Sequence, residues 1–248
     1  MPICIWKKEG ETPLECLHRL RVAQPFYRTA KLSYAGRLDP MASGELLVLI
    51  GDECKEKDTY LSADKDYTGI FLCGISTDTY DALGIVMYHD VFVPNISLSN
   101  FDAQYKKYIG THDHVYPPYS SKPINGVPLF MHARQGDVSH PLPHRRITIY
   151  TFTGHSLYTI VGEELLNEHE KRVRKMTGDF RQDTIIASWK KHIEKDKTYL
   201  CTDFSISCSS GTYIRRLADM IGCALQTPML LWHLVRTRVH AEAERIEI

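Results

Sequence analysis

The stretch Gly36-Arg37-Leu38-Asp39-Pro40-Met41-Ala42-Ser43-Gly44, followed by Glu45-Leu46-Leu47-Val48-Leu49-Ile50-Gly51, joins a constrained loop to a buried strand. Residues 44–51 form a short apolar run bounded by glycines, the pattern of a strand covered by other elements. Pro40 restricts Asp39 to extended backbone, and the flanking glycines permit a tight loop ahead of the strand. A carboxylate fixed on such a loop at the mouth of a sheet is a candidate reactive group. On this motif alone the favoured reading is a turn aspartate before proline.

Upstream, residues 13–22 (PLECLHRLRV) predict a short helix with Pro13 in its first turn and Leu14, Leu17 and Leu20 on one side. Downstream, 67–75 and 83–93 read as strands separated by the turn-rich STDTYDALG. A helix is expected over 99–109, capped by Ser99, with Phe101, Tyr105, Tyr108 and Ile109 as its core stripe. Residues 146–153 and 199–208 alternate as strands, and Leu200, Phe204 and Ile206 share one face. After Gly211-Thr212 comes a helix whose Ile214, Leu217, Ala218, Ile221 and Leu225 recur at helical spacing, while 163–195 reads as a charged, helical insertion. Strands outnumber helices and do not alternate regularly with them. The expectation is therefore an α+β fold, a single domain over 1–248, with a largely antiparallel mixed sheet and flanking helices and loops.

Of the 248 residues 43% are apolar and 24% charged, the balance of a globular protein. No run approaches the length of a membrane span, and the start is not a secretory signal, so a cytoplasmic protein without membrane attachment is expected. Seven cysteines without a C-x-x-C pair predict reduced thiols. His112-x-His114 and His140 with His144 invite a metal, but no Cys/His/Asp set completes a site, and no phosphate loop or cofactor fingerprint occurs. No metal and no cofactor are expected. The formal net charge of zero, read alone, counts against a nucleic-acid partner. The charges cluster, however: Arg145-Arg146, Lys171 to Lys175, Lys190-Lys191 and Arg236-Thr237-Arg238 are either solvated faces or partner surfaces.

Three further segments hold candidate chemistry. In Ser209-Ser210-Gly211-Thr212-Tyr213-Ile214-Arg215-Arg216-Leu217 a helix begins with arginines in its first turn, where a cation costs about 0.3–1 kcal/mol and calls for an acidic partner or a phosphate. In Asp64-Lys65-Asp66-Tyr67-Thr68-Gly69, Tyr67 opens a strand and is placed to stack on a base or to pack in the core. Residues 115–126 (VYPPYSSKPING) form a Pro-rich loop with one lysine, Lys122, followed by a short helix holding Ala133-Arg134.

Together, in this order, the four segments resemble the TruB family of tRNA pseudouridine synthases. GRLDPMASG is similar to its catalytic-aspartate motif and KDYTG…STDTYDALG to its basic-tyrosine segment. YPPYSSKPINGVPLFMHAR is similar to its P-P-x-Y-S-A-x-K motif and SSGTYIRRLADMIG to its G-T-Y-I-R-x-L motif. The likeness runs from about residue 3 to 240, and the opening Lys8-Glu9-Gly10-Glu11-Thr12 follows the family more loosely, with Lys8 in place of proline. The resemblance implies a pseudouridine synthase fold that isomerises a uridine, most often uridine 55 in the T arm of tRNA, without cofactor or metal. It places the catalytic aspartate on Asp39, the base-stacking tyrosine on Tyr67, the aspartate's arginine on Arg215 and a pocket-lining apolar residue on Leu234. Tyr34, Arg37, Lys122 and Tyr213 are the further candidates for substrate binding.

The implied chemistry breaks the N1–C1′ bond, turns the uracil and joins C5 to C1′, with the carboxylate as nucleophile or as base. Either role needs Asp39 ionised, and a paired Arg215 favours that form and holds its oxygens in place. The base must be flipped out of its loop, at a cost of a few kcal/mol that stacking on Tyr67 partly offsets. The sequence departs from the family at Tyr34, where a histidine is usual, and at Gln226-Thr227-Pro228-Met229-Leu230-Leu231, where G-T-G-A-H-L is common. The few residues after Arg238 leave no room for the C-terminal PUA domain of many relatives, so a guide-independent monomer is expected. The other readings are an RNA chaperone of the same fold and a synthase for a different RNA.

Overall fold

Leu46, Leu47, Val48 and Leu49 have no exposed surface. The strand that carries them packs residues 46 and 48 into one apolar cluster and 47 and 49 into another. A computed structural model describes residues 1–90, 96–137 and 141–248. Its elements begin with β1 (Ile3–Lys7), α1 (Pro13–Ala23), β2 (Leu32–Ala35), β3 (Ser43–Ile50), α2 (Lys57–Leu61), β4 (Lys65–Cys73), β5 (Ile75–Thr77) and β6 (Val86–His89). There follow α3 (Leu98–Lys107), β7 (Gly110–Val115), β8 (Pro123–Ile124), β9 (Val127–Pro128), α4 (Leu129–Arg134) and β10 (His144–Val161). The chain closes with α5 (Gly162–Val173), α6 (Gln182–His192), β11 (Thr198–Cys208), α7 (Ile214–Ala224), β12 (Met229–Val239) and β13 (Glu244–Arg245).

The main sheet runs β13-β1-β3-β12-β4-β11-β10-β7, with β2 added to β3. Among the described residues its pairings are antiparallel except β1 with β13 and β3 with β12. This is the expected mixed, largely antiparallel α+β architecture.

Period-two alternation divides the core in two. Tyr67, Phe71 and Cys73 of β4 and Phe204, Ile206 and Cys208 of β11 face α3 and α7. Leu72 of β4 and Tyr199 and Cys201 of β11 face α5 and α6. The stripe Ile214, Leu217, Ala218 and Ile221 seats α7 on the first face, as its helical spacing predicts.

Several elements differ from expectation. In α1 the buried stripe is Pro13, Cys16, Leu17 and Leu20, and Leu14 is turned to solvent. The cap of α3 is Ser97 rather than Ser99, because its hydroxyl is the one that accepts from the Asn100 amide; Ile109 lies beyond the helix and is exposed. The strand expected at 83–93 shortens to β6, and 91–93 lie outside the described residues. The one expected at 146–153 extends to Val161. Strand β12 at the centre of the sheet was not anticipated.

The charged stretch 163–195 forms two helices inside the β10–β11 hairpin, whose last pair is Val161 with Thr198. The pair covers one face of the sheet with Leu165, Leu166, Ile185, Ile186 and Trp189. The fully buried Trp189 donates its indole N–H to the Gly84 carbonyl at 3.0 Å and stacks on His169 at 3.9 Å between ring centres. Burial lowers the His169 pKa to about 3, so the ring is neutral while it bonds the Ala82 carbonyl. Truncating Trp189 to alanine removes a large core side chain and one buried hydrogen bond. Trp189→Ala is expected to lower unfolding free energy by about 3–5 kcal/mol, measured by urea denaturation. A loss below about 1 kcal/mol would show the insertion to be a mere appendage.

Candidate active site

The loop before β3 is pinned at several points, which is how Asp39 acquires one position. Gly36 and Gly44 adopt φ of 75° and 118°. A Cβ on Gly44 would lie 2.2 Å from the Arg236 carbonyl oxygen, so no other residue fits where β3 meets β12. Leu38 and Met41 are buried on either side of Asp39. The Pro40 carbonyl accepts from the Gly10 amide at 3.0 Å and from the buried Lys7 ammonium at 3.2 Å. Desolvation pulls the Lys7 pKa down to about 8.

Arg215 reaches this loop from the first turn of α7 and is itself 3% exposed. Its Nε donates to Asp39 Oδ2 at 2.9 Å, one terminal nitrogen to the Thr79 carbonyl at 3.0 Å and the other to the Tyr119 carbonyl at 2.8 Å. The acidic partner that a cation at a helix start requires is thus present. Asp39 keeps 40% of its side chain accessible, so the pair is open on the carboxylate side alone. The amide of Tyr213, the residue that caps the start of α7, donates to Nε2 of the buried His114 at 3.1 Å. Burial lowers the pKa of His114 to about 4, which leaves Nε2 free to accept.

A second carboxylate stands behind the first. Asp81 Oδ2 lies 3.9 Å from Arg215 Nε, and its Oδ1 accepts from the Thr79 hydroxyl at 2.6 Å and the Leu83 amide at 2.9 Å. Burial raises the Asp81 pKa to about 6, against the pull of Arg215 and with the help of Asp39.

Asp39, Arg215 and Asp81 border a cleft of about 540 Å³. Its apolar wall includes Leu38, Tyr67, Leu231 and Leu234. A bulge in β12 between Leu231 and His233 makes this wall possible. It shifts the register against β4 and returns Leu234 to the face of Leu231, three residues earlier. The Tyr67 phenol, buried beside Arg236, has its pKa pushed up to about 12 by desolvation and is neutral.

Of the residues singled out by sequence, the cleft lining brings together Asp39, Tyr67, Arg215, Leu234, Arg37 and Tyr213. It does not include Tyr34 or Lys122. Tyr34 sits on β2 with the Lys57 ammonium over its ring at 5.1 Å, packed toward the α1 cluster. Lys122 is exposed beside the loop, 5.8 Å from the Tyr116 ring centre. Residues the sequence reading missed are Asp81, Thr79, Lys65, Tyr119, Arg181 and Arg236. Asp81 and Thr79 fall inside the quoted STDTYDALG motif; Arg181 carried no local signal beyond lying in a charged run.

The basic clusters separate by role. Arg37, Arg134, Arg145 and Arg181 line the cleft, which makes its lining cationic although the chain is neutral. In the stretch 171–191, Arg172 and Lys175 pair with Glu9, Arg174 with Glu170 and Asp183, and Lys190 with Glu170. Those charges brace the insertion. Among the described residues no cluster of three or more His, Cys, Asp or Glu side chains has metal-binding geometry. His140 lies outside the described residues.

Residues 24–166 match the family model described as TruB family pseudouridylate synthase, N-terminal domain. Curated relatives named tRNA pseudouridine synthase B include one from Listeria monocytogenes, 30% identical over 237 residues, covering 95% of this chain and 65% of the relative. Another, from Lactobacillus johnsonii, is 27% identical over 235 residues, covering 95% of this chain and 67% of the relative. The chain thus spans about two thirds of the length of these relatives. A solved Cbf5-Nop10-Gar1 complex contains a chain of similar fold, with TM-score 0.57 and 18% identity over 100% of this chain and 52% of that one. An H/ACA RNP bound to a substrate RNA containing 2′-deoxyuridine gives TM-score 0.53 at 18% identity, covering 99% of this chain and 50% of that one.

Asp81 also makes a stability prediction. Its folded pKa of about 6 lies above the ordinary 3.8, so the folded chain holds this proton more tightly than the unfolded one. That contribution is fully present below about pH 4 and is lost as pH rises through about 6. Urea midpoints of the wild type and Asp81→Asn, compared from pH 4 to 7, should therefore shift in favour of the variant up to about pH 6 and then run parallel. A constant offset would mean that Asp81 titrates as an ordinary carboxylate.

Proposed function

The chain belongs to the TruB family of pseudouridylate synthases, and on that premise we propose that it converts one uridine of a folded RNA to pseudouridine, the uridine being position 55 in the T-loop of tRNA. The observation that carries this reading is the pair formed by the accessible Asp39 carboxylate and the buried Arg215, at 2.9 Å, on the wall of the cleft. The relatives' name, tRNA pseudouridine synthase B, supports tRNA as the substrate.

The residues divide the work in a consistent way. A flipped uridine enters the cleft with its base against Tyr67 and Leu234, where stacking and apolar contact offset part of the cost of unpairing. Arg37, Arg134 and Arg145 meet the phosphates at the mouth. Asp39 acts on the sugar, as nucleophile or as base, while Arg215 fixes its oxygens. Release of the N1–C1′ bond frees the uracil to turn, and C5 replaces N1 at C1′. C5 gives up its proton and the freed N1 takes one up, so the sum is an isomerisation with no oxidant or second substrate. In this proposal residues 1–248 work as one catalytic domain, a monomer in the cytoplasm that needs no guide RNA. Among the described residues no helix is long and apolar enough to cross a membrane.

Asp39→Asn is a clean test because Asp81, 3.9 Å from Arg215, still faces the guanidinium once the Asp39 charge is gone. Carbodiimide treatment and primer extension on an unmodified tRNA transcript should give a stop at one T-loop uridine with the wild type. With Asp39→Asn the rate should fall by roughly 10²-fold or more. Binding of the transcript without any stop would favour the chaperone reading. A stop of equal strength with both proteins would remove Asp39 from the chemistry.

A further inference from the structure

Arg181 lies between α5 and α6, in the segment inserted within the β10–β11 hairpin, and its side chain ends in the wall of the cleft. One terminal nitrogen donates to Asp78 Oδ2 at 2.8 Å and to the Tyr119 hydroxyl at 3.0 Å. The guanidinium also lies over the Tyr119 ring, 4.8 Å from its centre. Through that one nitrogen Asp78, Arg181 and Tyr119 form a single cluster. The backbone of Arg181 is left-handed, with φ 63° and ψ 29°, although the residue is not glycine. Its amide donates to Asp179 Oδ1 at 3.1 Å, which helps to hold that conformation. A sparsely populated backbone at a cleft wall is maintained only where the surroundings over-determine it.

The two partners of Arg181 belong to the two segments that grip Arg215. Asp78 adjoins Thr79, whose carbonyl accepts one terminal nitrogen of Arg215, and Tyr119 supplies the carbonyl that accepts the other. Asp78 is fixed from behind, since its Oδ1 accepts from the Ile85 amide at 2.8 Å. Arg181 thus adds a second tie between the Pro-rich loop and this turn, beside the one that Arg215 makes. We propose that Arg181 is a positioning residue for the uridine isomerisation: it sets the spacing of the Thr79 and Tyr119 carbonyls and thereby the angle at which Arg215 presents its Nε to Asp39. This rests on the reaction proposed above. The inserted helices thus reach the site through one side chain, and Arg181 acts on the reacting carboxylate at second hand.

A misplaced catalytic group slows the chemical step more than it weakens binding. The test measures single-turnover rates on an unmodified tRNA transcript over a range of protein concentrations, for wild type, Arg181→Gln, Arg181→Lys, Tyr119→Phe and the Arg181→Gln/Tyr119→Phe double variant. Urea midpoints are taken alongside. Arg181→Gln should lower the saturating rate by roughly tenfold with half-saturation within about twofold of wild type. Arg181→Lys should recover part of the rate, since it keeps the charge toward Asp78 but not the planar fork. The double variant should be scarcely slower than Arg181→Gln, because both changes break one link.

Three results would overturn the inference with the wild type active. The first is an unchanged saturating rate in Arg181→Gln. The second is a change in half-saturation alone that shrinks as salt is raised, which would make Arg181 a phosphate contact. The third is a loss of rate that follows the urea midpoint and is not recovered by lysine, which would make its role purely structural. A wild type that leaves every uridine unmodified removes the reaction itself, and so is distinct from all three.

Discussion

A buried guanidinium cannot be left without acceptors, and Arg215 meets that demand by drawing three distant segments together. The loop before β3 gives Asp39, the turn after β5 gives the Thr79 carbonyl, and the Pro-rich loop gives the Tyr119 carbonyl. The charge has been taken out of water, so each acceptor replaces a lost hydration contact and the penalty for a missing one is large. This is why the constraint is strong: the three loops share one donor set, and none can move without stranding a buried N–H. Only one of the acceptors is a carboxylate, and it is accessible. Everything reactive about the cleft follows from that asymmetry, because Asp39 is held on one side by a cation and left open on the other.

The sheet supplies the rigid frame on which this happens. Helix α7 can aim Arg215 because its opposite stripe is locked against β4, β11 and β12, and because His114 accepts from an amide at its N-terminus. Strand β12 crosses the middle of the sheet and would carry its residues past the cleft in strict alternation. The bulge near His233 breaks that alternation once, and Leu234 joins the wall as a result. Opposite it Gly69 leaves room: a Cβ there would meet the His233 carbonyl oxygen and the Phe204 ring, each at 2.6 Å. A small residue on one strand and an extra residue on its neighbour together shape the apolar side of the pocket.

Sequence reading captured what periodicity encodes and missed what closure in space creates. The faces of β11 and α7 follow from spacing alone, since an alternation of two and a recurrence of three to four have no other cheap arrangement. Strand β12 was hidden because Met229 to Val235 is an apolar run with a bulge in it, which has neither period. Asp39 and Arg215 were legible through motifs and through the anomaly of an arginine at a helix start. Asp81 was within view and still unassigned, because nothing local says that its carboxylate turns inward to face a guanidinium from another segment. Tyr34 stands in the region where the family resemblance places a base-exposing histidine; its pairing opposite Val48 carries the ring toward α1 instead. Net charge misled for a related reason. A sum over the chain erases the contrast between ion pairs that brace α5 and α6 and arginines that line the cleft.

The helices inserted in the β10–β11 hairpin show how a segment distant in sequence becomes part of the site. A hairpin whose strands remain paired up to Val161 and Thr198 accepts extra residues at its tip at small entropic cost. Yet the face of the sheet bearing Leu72, Ile75, Tyr199, Leu230 and Trp232 is apolar and would lie open without α5 and α6. Burial therefore fixes where the insertion sits, and its charged surface is tied down by Glu9, which pairs with both Arg172 and Lys175. The residue after Glu9 is Gly10, whose amide holds the Pro40 carbonyl next to Asp39. On the other side, Arg181 holds the turn and loop whose carbonyls receive Arg215. Both halves of the Asp39–Arg215 pair consequently rest against one segment, so a change in how α5 and α6 pack must reach the carboxylate and its arginine together.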